Sequence, residues 1–136
     1  MTITEFLQAR IAEDEALATK AARGSDGEWH RGHGWMPDED ECRVEGDSIV
    51  IYDEGGHDPN QAEHIARHDP ARVLAECAAK RAIIELHRRL FAAPHSICNR
   101  CTDYTTGDAD DYPCDTLCAL ATIYKDHPDY QQEWAA

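Results

Sequence analysis

The stretch Cys98-Asn99-Arg100-Cys101, followed after twelve residues by Cys114-Asp115-Thr116-Leu117-Cys118, decides how this chain is read. It places four thiols within 21 residues, the first two at the Cys-x-x-Cys spacing of a zinc knuckle. A tight turn of that spacing presents two thiolates to one ion. Cys114 and Cys118 stand four apart, so both face the same way on the first turn of a helix. The dipole of that helix favours thiolates there. Spacing alone points to four thiols, Cys98, Cys101, Cys114 and Cys118, around a structural Zn2+. His87 is a rival fourth ligand, one turn after Ile83 and Ile84 near the end of an apolar helical run. The plain alternative for it is a histidine packed in the core. His95 is closer to the cysteines but sits in the linker. A site closed by four protein ligands leaves no position for water, so it is structural rather than catalytic.

Outside this stretch the composition sets bounds. The chain has 136 residues, 42% hydrophobic and 7% aromatic. That suits one domain, residues 1–136, with a small alanine-rich core that a metal would reinforce. Within it we expect a body over 1–91 and a zinc-knuckle region over 92–136. No apolar run reaches the length of a membrane span, and no basic-then-apolar leader opens the chain. Six cysteines without a leader imply reduced thiols in a cytoplasm, where close pairs bind metal more often than they form disulfides. The formal charge is −14. Residues 1–63 carry 16 acids and 5 bases, 64–91 carry 3 and 6, and 92–136 carry 8 and 2. Phosphate backbones are repelled by most of such a surface, so nucleic acid is disfavoured as a partner. The acids serve solubility, or docking to a basic protein, including mimicry of DNA.

Working back to the start, Thr2-x-x-Glu5 is a capping-box pattern. Ile3, Phe6, Leu7, Ile11 and Leu17 then recur at helical spacing, predicting a helix over about 4–21. Residues 24–40 read as irregular, either a ligand-binding loop or, more simply, a stretch in which Trp29 and Trp35 pack as strand residues over a small core, with Asp38-Glu39-Asp40-Glu41 as a solvated turn. Residues 42–52 read as a β-hairpin whose turn uses positive φ at Gly46. The run Ile49-Val50-Ile51 implies a strand partly covered on both faces, with helices packed on it. His57-Asp58-Pro59 and His68-Asp69-Pro70 repeat one phrase, each with Asp as N-cap and Pro at the first helical position. They predict a short helix to about 67, a break at His68–Asp69, and a long helix over about 70–91. That long helix is the expected spine for the first helix and the hairpin. Residues 102–113 form a polar acidic surface loop. Leu117, Leu120 and Ile123 mark another helix, and a last turn tucks Trp134 onto the body.

His64 and His68 stand four apart, so one helix face offers two imidazoles to a metal. No Glu follows His64 as it does in a zinc-protease helix. With Asp53 or Asp69 the pair outlines a metal-dependent hydrolase, weaker than a packing role. There is no Walker loop, nucleophile elbow or dinucleotide fingerprint, and no catalytic residue is assigned.

The chain resembles a family of small uncharacterised proteins from actinobacteria and their phages, domain of unknown function 6221. The phrases that carry the resemblance are Ile51-Tyr52-Asp53-Glu54-Gly55, then Gln61-Ala62-Glu63-His64-Ile65-Ala66-Arg67-His68-Asp69-Pro70-Ala71-Arg72-Val73-Leu74. They continue with Lys80-Arg81 through Leu86-His87, Pro113-Cys114-x-Thr116-Leu117, and Tyr124-x-Asp126-His127-Pro128-Asp129-Tyr130 ending at Trp134. The resemblance implies no activity. It does imply a ligand set, because the family keeps the Cys-x-x-Cys, the Pro-Cys and the Leu-His but has a basic residue where this chain has Cys118. On that ground the set is Cys98, Cys101, Cys114 and His87, with Cys118 as the alternative fourth ligand. The resemblance also implies an actinobacterial or phage cytoplasm.

The sequence therefore predicts an α+β domain. A small antiparallel sheet packs on a long kinked helix and an N-terminal helix, with a C-terminal zinc knuckle. The expected function is a non-enzymatic interaction or regulatory module with an unidentified protein partner. The alternatives are the His64/His68 hydrolase and an acidic DNA mimic.

Overall fold

Thr2 opens the first helix. Its hydroxyl accepts from the Glu5 amide at 3.3 Å, and Glu5 Oε2 accepts from the Thr2 amide at 2.7 Å, the reciprocal cap that the spacing predicts. In this computed structural model, which describes residues 1–32, 42–51 and 58–135, α1 runs Ile3–Ala22. It stops at Arg23 and Gly24, whose φ values of 53° and 85° are left-handed. The chain divides into two compact units, Met1–Glu13 with Ala78–Ala136, and Asp14–Cys77.

The second unit holds a three-stranded antiparallel sheet in the order β1 (His30–Arg31), β2 (Val44–Glu45), β3 (Ile49–Ile51). The β2–β3 hairpin lies where the sequence predicts it. Strand β1 lies in the stretch read as irregular, and two residues carry no alternation to reveal it. Gly46 does not have the expected positive φ. Glycine is needed there for space, because a Cβ would stand 2.9 Å from the Trp29 ring. Asp58 then caps α2, Pro59–Arg67. Its Oδ1 accepts from the Asn60 and Gln61 amides at 2.7 and 3.0 Å, and the Gln61 side chain accepts from the Asp58 amide at 3.0 Å. The helix breaks at His68, as expected. Asp69 restarts it as α3, Pro70–Leu86, by accepting from the Arg72 amide at 2.8 Å.

The core of this unit is Cys42, Val44, Ala62 and Ala66, with Trp29, Ile51 and Ile65 packed against it. The sheet thus lies on α2, the short helix before the break. The β2 and α2 residues supply that core in alternating and helical registers. Val50 is 37% exposed, so its face of β3 is covered only in part. Trp35, the acidic turn of residues 38–41, and Asp53 lie outside the described residues.

In the first unit α3 ends at Leu86, short of the expected 91. Residues 88–91 leave the helix to form a hairpin, β4 (Arg89–Leu90) against β5 (Ile97–Cys98). Phe91, at the end of the expected helix, is exposed with a φ of 63°. Then α4 runs Asp115–Ala121, followed by single 3-10 turns at Thr122–Tyr124 and Gln132–Trp134. Ile3, Phe6, Leu7, Ile11, Ile84, Leu117, Ala121 and Trp134 are buried here. Phe6 has no exposed surface and is ringed by Trp134, His127, Tyr130 and Tyr124, with centroids 5.0 to 6.3 Å away. The expected burial of Trp134 is seen, whereas Leu17 and Ile123, both read as apolar-face residues, are exposed. Among the described residues no helix is long and apolar enough to cross a membrane. The fold is mixed, with four α-helices and small antiparallel sheets among the described residues.

Candidate metal centre

Three elements of the first unit converge on one point. Helix α3 ends just before His87. The β4–β5 hairpin delivers Cys98 at the end of β5, and the Asn99 amide fixes the following turn by donating to the Arg88 carbonyl at 3.0 Å. The turn brings round Cys101, and the Thr102 hydroxyl closes it on the Cys98 carbonyl at 2.7 Å. Cys114 is the N-cap residue of α4. Its carbonyl accepts from the Leu117 and Cys118 amides at 3.0 and 3.1 Å. The acidic loop between is tied in at its far end, where the Cys98 amide donates to the Asp110 carbonyl at 3.0 Å.

The result is a cluster of His87, Cys98, Cys101 and Cys114, whose ligand atoms all lie within 4.8 Å of one another. His87 Nδ1 is 3.4 Å from Cys98 Sγ, 3.7 Å from Cys101 Sγ and 3.4 Å from Cys114 Sγ. Cys98 and Cys114 are buried, and His87 and Cys101 are half-buried. One histidine and three cysteines so placed could hold a metal ion. Cys118 is not one of the four. No disulfide joins any of the six cysteines.

Crowding shows in the thiol acidities. Burial, then the neighbouring Cys98 and Cys114 thiols, push Cys101 up to about 12. Cys98 is also penalised by burial, but hydrogen bonding from the Cys101 amide and from the Cys114 and Cys101 thiols brings it below its ordinary value. Burial, followed by the charges of Cys114 and Asp115, raises Cys118. Three adjacent sulfurs cannot all ionise without a cation among them.

The other candidates are not gathered in this way. His64 on α2 and His68 at its C-cap are exposed, with ring centroids 4.4 Å apart. Asp69 is committed elsewhere. Its Oδ1 caps α3, and its Oδ2 accepts from the Trp29 amide at 3.0 Å. Among the described residues no third ligand joins the histidine pair.

The sequence reading passed over Arg10. It is 8% exposed, with Nη1 2.8 Å from His127 Nε2 and 3.4 Å from Asp129 Oδ2, and Nη2 2.7 Å from Glu13 Oε1. Its guanidinium also lies 5.5 Å from the centroid of the Phe6 ring. The available signal was its place among Phe6, Leu7 and Ile11 on the apolar stripe of α1.

The chain belongs to a family of unknown function, DUF6221, whose model matches residues 1–136. Neither the curated proteins nor the solved structures hold a match to it.

Proposed function

We propose that this protein is a small acidic zinc protein, a non-enzymatic interaction or regulatory module whose C-terminal region is built around one structural Zn2+ held by His87, Cys98, Cys101 and Cys114. One observation carries the metal reading. Zinc about 2.3 Å from sulfur and about 2.0–2.1 Å from nitrogen sets the tetrahedral S and N corners about 3.6 Å apart. The three distances from His87 Nδ1 are 3.4, 3.7 and 3.4 Å. Three thiolates and an imidazole are a donor set that suits zinc over harder ions. A bound divalent ion would supply the charge that lets the crowded thiols ionise.

Each residue then has a mechanical task. His87 anchors the end of α3, Cys98 and Cys101 the hairpin and its turn, and Cys114 the start of α4. With four protein ligands the ion has no position left for water or substrate, so its contribution is cohesion. The free thiols favour a reducing compartment, and we place the protein in the cytoplasm of an actinobacterium or of a cell infected by its phage. The net charge of −14 suits a basic protein partner.

Cobalt substitution tests the centre. Co2+ added to metal-stripped protein is expected to give the strong visible bands of a tetrahedral ion and a near-ultraviolet thiolate charge-transfer band. A weak octahedral spectrum would contradict the reading. Capture from an actinobacterial lysate that yields no partner specific to the zinc-loaded form would count against the interaction module.

A further inference from the structure

Nothing in that reading uses His64 and His68. Their imidazoles, one on the last turn of α2 and one on its C-cap residue, lie with ring centroids 4.4 Å apart and planes inclined by 43°. His68 is the C-cap residue of α2, with non-helical φ −105° and ψ 42°, and its amide still donates to the His64 carbonyl at 3.2 Å. Both residues are exposed. Among the described residues neither ring enters a hydrogen bond or an ion pair, so their nitrogens are uncommitted. The cation between them in sequence, Arg67, is engaged by Glu63 at 2.9 Å, which tempers its repulsion of an approaching ion.

We propose that His64 and His68 form a second metal site, an open two-imidazole chelate for a divalent transition ion such as Ni2+, Cu2+ or Zn2+. Imidazole is a borderline donor that suits these ions and binds Mg2+ or Ca2+ poorly. The two rings already lie side by side, centroids 4.4 Å apart, before any ion arrives, which reduces the ordering left to the binding step. Rings this close can turn one nitrogen each toward an ion held about 2.0–2.1 Å from both. Two protein ligands leave the remaining positions to water. The ion would thus be open to exchange with a ligand from solution, unlike the closed Cys/His centre. The site uses no cysteine and does not depend on the zinc reading.

The test is a titration of the full chain with Ni2+, the thiols first saturated with zinc, read by calorimetry and by native mass spectrometry. One Ni2+ per chain beyond any zinc is the expected result. His64→Ala and His68→Ala should each weaken that binding by an order of magnitude or more. The double variant should be little worse than either single variant, because losing one arm already breaks the chelate. His95→Ala, at an exposed histidine elsewhere, should leave it unchanged. Alanine is a strong helix former, and the helical circular dichroism of each variant checks that α2 persists. No additional Ni2+ in the wild type would overturn the site, as would equal binding by His64→Ala and His68→Ala.

Discussion

Arg10 Nη1 lies 2.8 Å from His127 Nε2, a contact between residues 117 positions apart. It joins α1 to the turn before the C-terminal Trp134. A guanidinium is costly to bury, and here its fork is met by His127, Asp129 and Glu13 together.

Replacing that fork with a single ammonium should therefore cost stability. Arg10→Lys is expected to lower unfolding free energy by about 1–3 kcal/mol, the range for hydrogen bonds to charged groups. Both carboxylates are half or more exposed, which holds the loss toward the lower end. Urea denaturation measures it. Asp129→Ala in the Arg10→Lys background should add less than it does alone, since the two share one network.

Phe6 fills the space between Tyr124, His127, Tyr130 and Trp134. Phe6→Ala is expected to cost about 3–5 kcal/mol, combining lost transfer energy with a cavity that the four rings can close only in part. Phe6→Leu should cost clearly less. Thermal melts followed by tryptophan fluorescence report both, since Trp134 has the nearest ring centroid of the four, 5.0 Å away.

Asp69 serves two backbone amides, Arg72 at the start of α3 and Trp29 ahead of β1. Asp69→Ala is expected to cost about 2 kcal/mol, since it removes an N-cap and a second hydrogen bond. Asp69→Asn keeps an acceptor oxygen and should retain most of the stability. Equal destabilisation by the two substitutions in denaturant would show that the carboxylate charge, not the cap, is what counts.

Much of this was legible in the sequence because it is local. The caps at Thr2, Asp58 and Asp69 sit within three residues of what they cap, and proline follows two of them. The break at His68 follows from Pro70 in the same way. What escaped is non-local. The pattern of Leu86, Leu90 and Phe91 continues the helix on paper. Pairing of Arg89 with Cys98 and Leu90 with Ile97 overrides it, and the hairpin sets Cys98 beside His87. In the cluster, three donors stand in the cysteine stretch, whereas His87 is brought back by that same hairpin. Arg10 and His127 have no local signature linking them. Leu17 shares the apolar spacing of α1 yet is exposed, so spacing alone did not show where the buried face ends.

The cap at Thr2 gives a pH dependence. Hydrogen bonding from the Thr2 amide, then from its hydroxyl, holds the Glu5 carboxyl below its ordinary 4.5. A depressed carboxyl pKa stabilises the fold above the unfolded value, and that contribution disappears as pH falls through the folded value. Wild type should accordingly be more stable than Glu5→Gln at pH 7, with the gap shrinking below about 4.5. Denaturation of both proteins from pH 7 to pH 3 checks it, and a gap constant across that range would assign Glu5 no such role.

The central claim is the three-cysteine, one-histidine zinc centre, and metal content by native mass spectrometry tests it most directly. Wild type, Cys118→Ser and His87→Ala would be purified without chelator. One zinc per chain is expected in wild type and in Cys118→Ser, and loss of that zinc in His87→Ala. The loss should bring a large fall in stability, since a structural zinc can supply roughly 10 kcal/mol or more of folding free energy. Zinc kept by His87→Ala and lost by Cys118→Ser would contradict the ligand set, and a wild type without metal would contradict the centre itself.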